Sequence, residues 1–584
     1  MTEYFEVIER DGPARLAELR LTQPITTPTI VDDVISDAGS LWLEDRDLPE
    51  GDESQITILP HRGFPRGTDP EVQTAFAPDY PAVDYPNGVV ISEATAEDYG
   101  ADVYVLSGVP ALIGHASAFV DTVISVRQTI PDDAGLLFSG VATPQNLALL
   151  VYAGVDLVDT DQAVVAGTQG RYLLPDGSYQ LTDLDVLPCP CPVCEKQVEN
   201  FDREDCVDHN VNTLQSEIRR IQHRIRVGQI REYVEGVVRH EPWLTAALQE
   251  FDQQWGYLET RTPVFRNAEI KSTTTDTLRR VEIQRFADRV TSRYINRFDD
   301  VPLVLVPCSA KKPYSESQSH GQFHDAIQYR GHIVSMSSPI GVVPRELELT
   351  YPAQHYDSAV TGDWSQTEIE FVASVLERYL DRNQYPRVIA HVPPNGYDDI
   401  CEKVANRINV SFDYTVTDHP TTDESLATLA ETLEDERQIS LQERNRKTLK
   451  AIADYQFGDQ AGDAMFDSLT LQGRYPKLQG LNASGEQLIS LVPQYGLLAL
   501  TLKGAQRWDD SSVTTKRVTI EDFVPHGSVL APGIISASDA IRVGEEVVIE
   551  GPSAFGVGRA TMPGPAMESA SRGVAVDVRH VREQ

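Results

Sequence analysis

Leu303-Val304-Leu305-Val306-Pro307-Cys308-Ser309-Ala310-Lys311-Lys312-Pro313-Tyr314-Ser315-Glu316-Ser317-Gln318-Ser319-His320 decides how the middle of the chain folds. Its first four residues form an unbroken aliphatic run, the pattern of a strand buried on both faces of a parallel sheet. Pro307 ends the run, and the polar stretch after it reads as a loop at the strand's C-terminal end, before a helix. Two further runs, Ile333-Val334-Ser335-Met336 and Val388-Ile389-Ala390-His391-Val392, read as strands of the same sheet, with helix periodicity over 366–382 between them. The expectation is an α/β domain over 291–435, in which ligands collect at the carboxyl ends of the strands. The acidic, Thr-rich residues 415–437 read as a solvated helix or linker.

A cysteine in such a loop is well placed for reactivity, because backbone N–H groups and Lys311, Lys312 or His320 would favour its thiolate. A lone cysteine is more often a small buried hydrophobe. Lysine, tyrosine, serine and histidine are poor core material, however, and the chain has only ten lysines, two of them adjacent here. The candidate catalytic group is Cys308, Lys312, Tyr314, Ser317 and His320. In the covalent reading Cys308 is a nucleophile and Lys312, Tyr314 or His320 supplies a proton; in the alternative Cys308 only shapes the loop. Two more strand-end loops, Ser337–Glu346 and His391–Tyr397, offer Ser337, Arg345, Glu346 and Asn395 as substrate-binding candidates. Arg345 or Glu346 would suit the carboxylate or ammonium of an amino acid. Plain turn chemistry explains the same Pro, Asn and Gly residues.

Working outward, residues 1–240 alternate short apolar runs such as Val103-Tyr104-Val105-Leu106 with helical patterns, as in a barrel. Residues 241–290 read as a helical connector and 440–510 as a small α+β module. Residues 511–584, with short strand runs punctuated by glycine, read as a small β-barrel. The fold class is α/β multidomain. Cys189-Pro190-Cys191-Pro192-Val193-Cys194, followed by His209, has the spacing of a closed tetrahedral zinc shell of three thiolates and one imidazole, which implies structure and not catalysis. Cys206 competes for the fourth place. His209 opens the helical pattern Leu214, Ile218, Ile221, Ile225.

The chain carries 88 acidic and 50 basic residues, a formal charge of −38, and no lysine before Lys196. Dispersed carboxylates among well-patterned apolar segments suit a folded protein in a salt-rich, halophile-type cytoplasm, where the Debye length is roughly 3 Å and self-repulsion is screened. No stretch is apolar enough to span a bilayer, and Met1–Glu6 lacks the features of a signal peptide, so a cytoplasmic protein without a membrane partner is expected. Six cysteines in 584 residues are no disulfide framework.

Several motifs carry a family resemblance. Phe5-Glu6-Val7, Ile25-Thr26-Thr27-Pro28, Gly154-Val155-Asp156-Leu157-Val158-Asp159, Arg171-Tyr172 and the stretch from Cys189 through His209-Asn210 resemble archaeal tRNA-guanine transglycosylases. The resemblance implies a TIM-type barrel with a zinc subdomain. Asp159 matches the nucleophile of base exchange. No counterpart of the family's Asp-Ser-Gly motif stands at its expected place, so Asp159 is expected to be the relic of a retired site. Pro307-Cys308, Lys312-Pro313-Tyr314, Ser317 and His320 are similar to the signature of the archaeosine synthases, euryarchaeal paralogues of those enzymes. That resemblance implies action on tRNA carrying 7-cyano-7-deazaguanine at position 15 of the D-arm. The nitrile would accept an amine, with free L-lysine as donor (glutamine or ammonia in an older reading), and a radical-SAM partner would complete archaeosine. Residues 475–502 resemble the auxiliary C-terminal domain of the transglycosylases, and the end of the chain resembles a PUA domain. RNA-binding candidates are Arg219, Arg220 and Arg224, in a basic stretch that includes Arg231, together with Arg559 and Arg572. A homodimer is compatible with this. The rivals are an active transglycosylase and a non-catalytic tRNA scaffold.

Overall fold

The computed structural model describes residues 3–359, 364–394 and 396–584; Asn395 lies outside the described residues. The chain divides into two compact units. One comprises residues 1–263, 529–543 and 561–575; the other comprises 264–528, 544–560 and 576–584.

The first unit opens with an antiparallel sheet of Phe5–Asp11, Ala14–Leu19 and Ile25–Thr27. A parallel sheet of seven strands follows, in the order Thr29–Ile30, Leu157–Val158, Gly135–Phe138, Val103–Leu106, Asn87–Ile91, Ile56–Ile58, Ile35–Asp37. The two outer strands are joined only by residues 31–34, a link that reaches at most roughly 18 Å. The sheet must therefore curl back on itself, and the expected TIM-type domain appears as a curled parallel half-barrel. Among the described residues no closing strand follows, because the chain leaves the helix Asp161–Thr168 for the hairpin Arg171–Leu174/Gly177–Gln180, and then for the helices Arg203–Arg226, Ile230–Val237, Pro242–Phe251 and Trp255–Arg261.

Arg15 ties the opening sheet to the parallel one. Its Nε and Nη2 each lie 2.7 Å from an Asp156 oxygen, and both side chains are almost fully buried. Breaking a buried pair leaves an uncompensated charge and costs about 3–5 kcal/mol. Asp156→Asn is expected to lower the denaturant midpoint of this unit accordingly.

In the second unit the strands run Gly341–Pro344, His332–Ser337, Leu303–Pro307, Val388–Ala390, Phe412–Tyr414, all parallel except the first. Leu303 and Leu305 pack with Val334 and Met336 against Ile369, Val372 and Leu376 of the helix Gln366–Arg382. Val304 and Val306 face the other way, onto Phe323 and Ile327 and onto Leu429 and Leu433. Alternate residues thus serve opposite faces, both covered, which is why the run is continuous and not alternating. The expectation of a solvated segment over 415–437 is corrected here: the helix Asp423–Thr432 buries Leu429 against the sheet, and only its outer face is acidic. The helix Val281–Ser292 also packs into this core through Phe286, Ala287 and Val290. The division between the units therefore falls at 263/264, within the segment read as a connector.

The rest of the unit adds the helix Leu441–Phe457, a four-stranded antiparallel sheet over Thr470–Leu500 and the helix Leu502–Asp509. The strands Arg517–Ile520, Glu546–Gly551, Ala554–Ala560 and Val574–Glu583 follow. Among the described residues no helix is long and apolar enough to cross a membrane.

Candidate active site and metal centre

The Cys308 loop is held against the end of its strand by contacts that account for two of its motif residues. Ser317 caps the helix Gln318–Ile327, accepting from the His320 backbone N–H at 3.2 Å. The His320 ring is buried, stacks on Tyr314 at 5.3 Å and places Nε2 2.9 Å from the Pro307 carbonyl. Burial lowers its pKa to about 4, so at neutral pH the ring is uncharged and donates through Nε2–H. Ser317 and His320 position the loop.

What faces the half-buried Cys308 thiol is mostly aromatic. The Tyr397 hydroxyl lies 3.5 Å from Sγ. Tyr397 opens the helix Tyr397–Ile408, where Gly396 at φ 79° makes the turn. Tyr356, from the strand Tyr356–Ser358, places its hydroxyl 2.7 Å from that of Tyr314 and 2.6 Å from Ser337 Oγ. Lys312 Nζ sits over the Tyr356 ring, 3.8 Å from its centroid. Burial depresses the Lys312 ammonium, against the pull of Cys308, Asp357 and Glu269. Burial also raises Tyr314, Tyr356 and Tyr397, so these phenols keep their protons at neutral pH. The arrangement offers one thiol, one amine with weakened hold on its proton, and hydroxyls able to donate.

Two measurements check this local picture. Tyr356→Phe keeps the ring beneath Lys312 but leaves Tyr314 and Ser337 short of a partner. It is expected to cost about 1–3 kcal/mol in urea unfolding. Two of the histidines with depressed pKa values, His320 and His391, pack on the sheet beside this loop. His391 contacts Thr415 Oγ1 and the Pro420 carbonyl at 2.8 Å each, and burial holds both His320 and His391 near pKa 4, against an ordinary 6.5. The folded pKa lies below the unfolded one, so the unfolded chain binds more protons between pH 6.5 and 4. Stability is full above 6.5 and falls through that window, by on the order of 3 kcal/mol per histidine. Urea midpoints at pH 7 and 5 should differ, and His320→Gln should remove part of the difference.

Ser337 reaches the Cys308 cluster directly; Arg345 meets its loop only through Glu348, which also holds Ser315, and Glu346 does not reach it. His332 lies beside Leu303 and Met336 beside Pro307, while the antiparallel edge strand sets Pro344 opposite Val334. The hairpin therefore carries Arg345 and Glu346 to the far end of the sheet, roughly 16 Å of strand away from Cys308. There Arg345 pairs with Glu348, and Glu346 Oε2 lies 3.0 Å from His332 Nε2.

In the first unit, Cys189, Cys191, Cys194 and His209 bring their ligand atoms within 4.8 Å of one another. Cys191 Sγ lies 3.5 Å from Cys194 Sγ, and His209 Nδ1 lies 3.3 Å from Cys194 Sγ. His209 Nε2 is 3.0 Å from the Leu173 carbonyl, which fixes the tautomer and leaves Nδ1 facing the thiols. Burial pushes the Cys194 thiol up to about 12 and the His209 imidazolium down to about 4. One buried and two half-buried thiols with a neutral imidazole are a donor set that a dication would complete. Cys206 stands outside the cluster, in an apolar nest with Tyr172 and Phe201. The helix begins before His209: Asp202 caps Arg203–Arg226, so His209 enters from its second turn.

Four stretches match known families: queuine tRNA-ribosyltransferase over residues 84–242, a domain of unknown function (DUF5591) over 283–433, the patch-forming domain C2 of tRNA-guanine transglycosylase over 447–514, and a PUA domain over 517–582. A Haloferax volcanii protein named archaeosine synthase is 56% identical, over 100% of both chains. The chain belongs to the archaeosine synthase family. An archaeosine synthase subunit alpha from Methanosarcina acetivorans is 38% identical, again over 100% of each chain. A tRNA-guanine(15) transglycosylase of Methanobrevibacter smithii is 26% identical, covering 77% of this chain and 67% of that one.

In this archaeosine synthase family member the Cys308 cluster lies within the 283–433 match and the Cys189–His209 cluster within the 84–242 match. Asp159 accepts from Gly140 N–H at 2.9 and 3.0 Å and from Asp161 N–H at 3.3 Å, so its carboxylate ties strand-end loops together. Among the RNA candidates, Arg219 is exposed, and Arg224 lies over the Tyr233 ring, 5.5 Å from its centroid. Arg220 pairs with buried Glu217. Arg231, grouped with them by spacing, is corrected: it is buried in ion pairs with Glu235 and Asp252. Arg559 is half-buried, bonded to the Tyr495 hydroxyl and 5.1 Å from the centroid of Phe265. Arg572 is half-exposed. Sequence reasoning missed Tyr356 altogether, and in the last loop it chose Asn395 over Tyr397. The one available signal was that Tyr397 closes a strand-end Pro-Pro-Asn-Gly turn.

Proposed function

We propose that this chain modifies tRNA in archaeosine biosynthesis, adding an amine to the nitrile of 7-cyano-7-deazaguanine already in the D-arm. The observation that carries the chemistry is a half-buried Cys308 thiol at a parallel strand's C-terminal end, with Tyr397 hydroxyl 3.5 Å away and the Lys312 amine over the neighbouring Tyr356 ring. The thiol adds across the C≡N bond: sulfur bonds carbon, and the nitrile nitrogen gains a proton. The product is a thioimidate. Lys312, whose ammonium burial weakens, gives that proton to nitrogen and takes up the one the thiol loses. A donor amine then attacks the same carbon, the C–S bond breaks, and the thiol is restored as the amidine forms. Tyr397 keeps its proton and donates a hydrogen bond to the sulfur. Free L-lysine is the proposed donor, and a radical-SAM partner would cleave its adduct to archaeosine.

Cys189, Cys191, Cys194 and His209 would hold a structural zinc ion, which when bound fixes the loop to the long helix. The PUA match and the exposed arginines support RNA binding.

Nucleoside mass spectrometry after incubating nitrile-bearing tRNA with lysine, glutamine or ammonium tests the donor. A lysine-mass adduct is expected from lysine alone. Release of labelled guanine from unmodified tRNA would favour base exchange instead.

A further inference from the structure

Beyond the N-terminal end of the His332–Ser337 strand, away from the Cys308 thiol, the second unit carries a half-open pocket of about 260 Å³. Phe298, Ile333 and Ile439 give it an apolar side, and Arg345, Glu346 and Arg444 a charged one. The Arg444 guanidinium lies over the Tyr329 ring, 3.4 Å from its centroid. In a chain with 88 acidic residues, Arg444 has no carboxylate partner among the described residues, and its enclosed Nε has no hydrogen-bond partner. Arg345 is anchored by Glu348, which Ser315 and Tyr475 also hold.

Glu346 presents the opposite charge. Its Oε2 is fixed by His332, which is backed by the Tyr385 hydroxyl at 2.8 Å and, behind it, by Tyr379 at 2.6 Å. Its Oε1 is enclosed and has no partner. A buried polar atom left unpaired is destabilising, and more so when charged. Here two such atoms, one cationic and one anionic, line the same cavity. Burial lowers Arg444, partly offset by Tyr329, and burial with Arg345 and Arg444 nearby holds His324 near pKa 4, so His324 is neutral beside the two guanidinium groups.

We propose that this cavity binds a free amino acid: its carboxylate on Arg444 and Arg345, its ammonium on Glu346, and its side chain against Phe298, Ile333 and Ile439. The site lies apart from the Cys308 thiol, though Glu348, which anchors Arg345, is also held by Ser315 of the Cys308 loop.

Calorimetric titration of the full chain in concentrated KCl tests it, with L-leucine, L-lysine and L-glutamate as probes and acetate, methylamine and inorganic phosphate as single-charge controls. At least one amino acid is expected to bind one-to-one, with each control at least tenfold weaker. Arg444→Gln should weaken that binding tenfold or more, Arg444→Lys less so, and Cys308→Ser should leave it unchanged. Arg444 is half-exposed, and a melting curve for each variant confirms folding. No binding by any probe overturns the proposal, and so does phosphate binding as tightly as the amino acid. Binding that survives Arg444→Gln and vanishes in Cys308→Ser overturns it as well, because the ligand would then sit at the Cys308 loop.

Discussion

Cys308→Ser is expected to reduce formation of the amidine in nitrile-bearing tRNA by about a thousandfold or more, with tRNA affinity unchanged. Serine keeps the size and the contact with Tyr397 but forfeits the soft sulfur nucleophile, and loss of the nucleophile in covalent catalysis costs about as much as loss of the whole catalytic set. The loop does not depend on the sulfur. Ser317 caps the helix, His320 grips the Pro307 carbonyl, and the Cys308 N–H reaches the Met336 carbonyl at 3.1 Å. The variant should therefore fold with a wild-type melting temperature, and single-turnover rates on purified modified tRNA are the measure. Lys312→Met should fall between the two, about a hundredfold slower, and should lose the pH dependence that a weakened ammonium imposes.

The second large effect concerns the cysteine cluster. Cys194 is the most enclosed of the three thiols, and Tyr172 both donates toward it at 3.2 Å and stacks on His209 at 3.6 Å. Structural zinc contributes on the order of 10 kcal/mol to a small domain that has no other core. Cys194→Ser, or a strong chelator, is expected to release one equivalent of zinc and to lower the melting temperature of the unit containing residues 1–263 by more than about 10 °C. Cys206→Ala should release none, since that thiol packs in an apolar nest outside the cluster. Zinc assays on the two variants, side by side, separate ligand from neighbour.

Much of this was legible before any coordinates. Continuous aliphatic runs at 303–306 and 388–390 announced strands covered on both sides, and the cysteine spacing announced the cluster of three thiols and His209. Other features hid for physical reasons. Tyr356 and Tyr397 stand 42 and 89 residues from the groups they contact, and tyrosines next to apolar residues look like core packing. Arg345 and Glu346 were misplaced because direction is invisible in a short run: Gly341–Pro344 turned back antiparallel and took them to the other end of the sheet. Arg231 shares the helical spacing of surface arginines, and only the fold brings Asp252 to it, 2.6 Å away. The helix over 423–432 displays acidic residues while hiding its two leucines.

The central claim, that sulfur of Cys308 bonds the nitrile carbon, is tested by incubating the full chain with nitrile-bearing tRNA in the absence of any amine donor, then digesting with nuclease and protease and measuring peptide masses. The account predicts a modified nucleotide attached to the peptide that contains Cys308, lost when an amine is added. Catalysis at the wild-type rate by Cys308→Ser, with no adduct on the wild-type peptide, would contradict it.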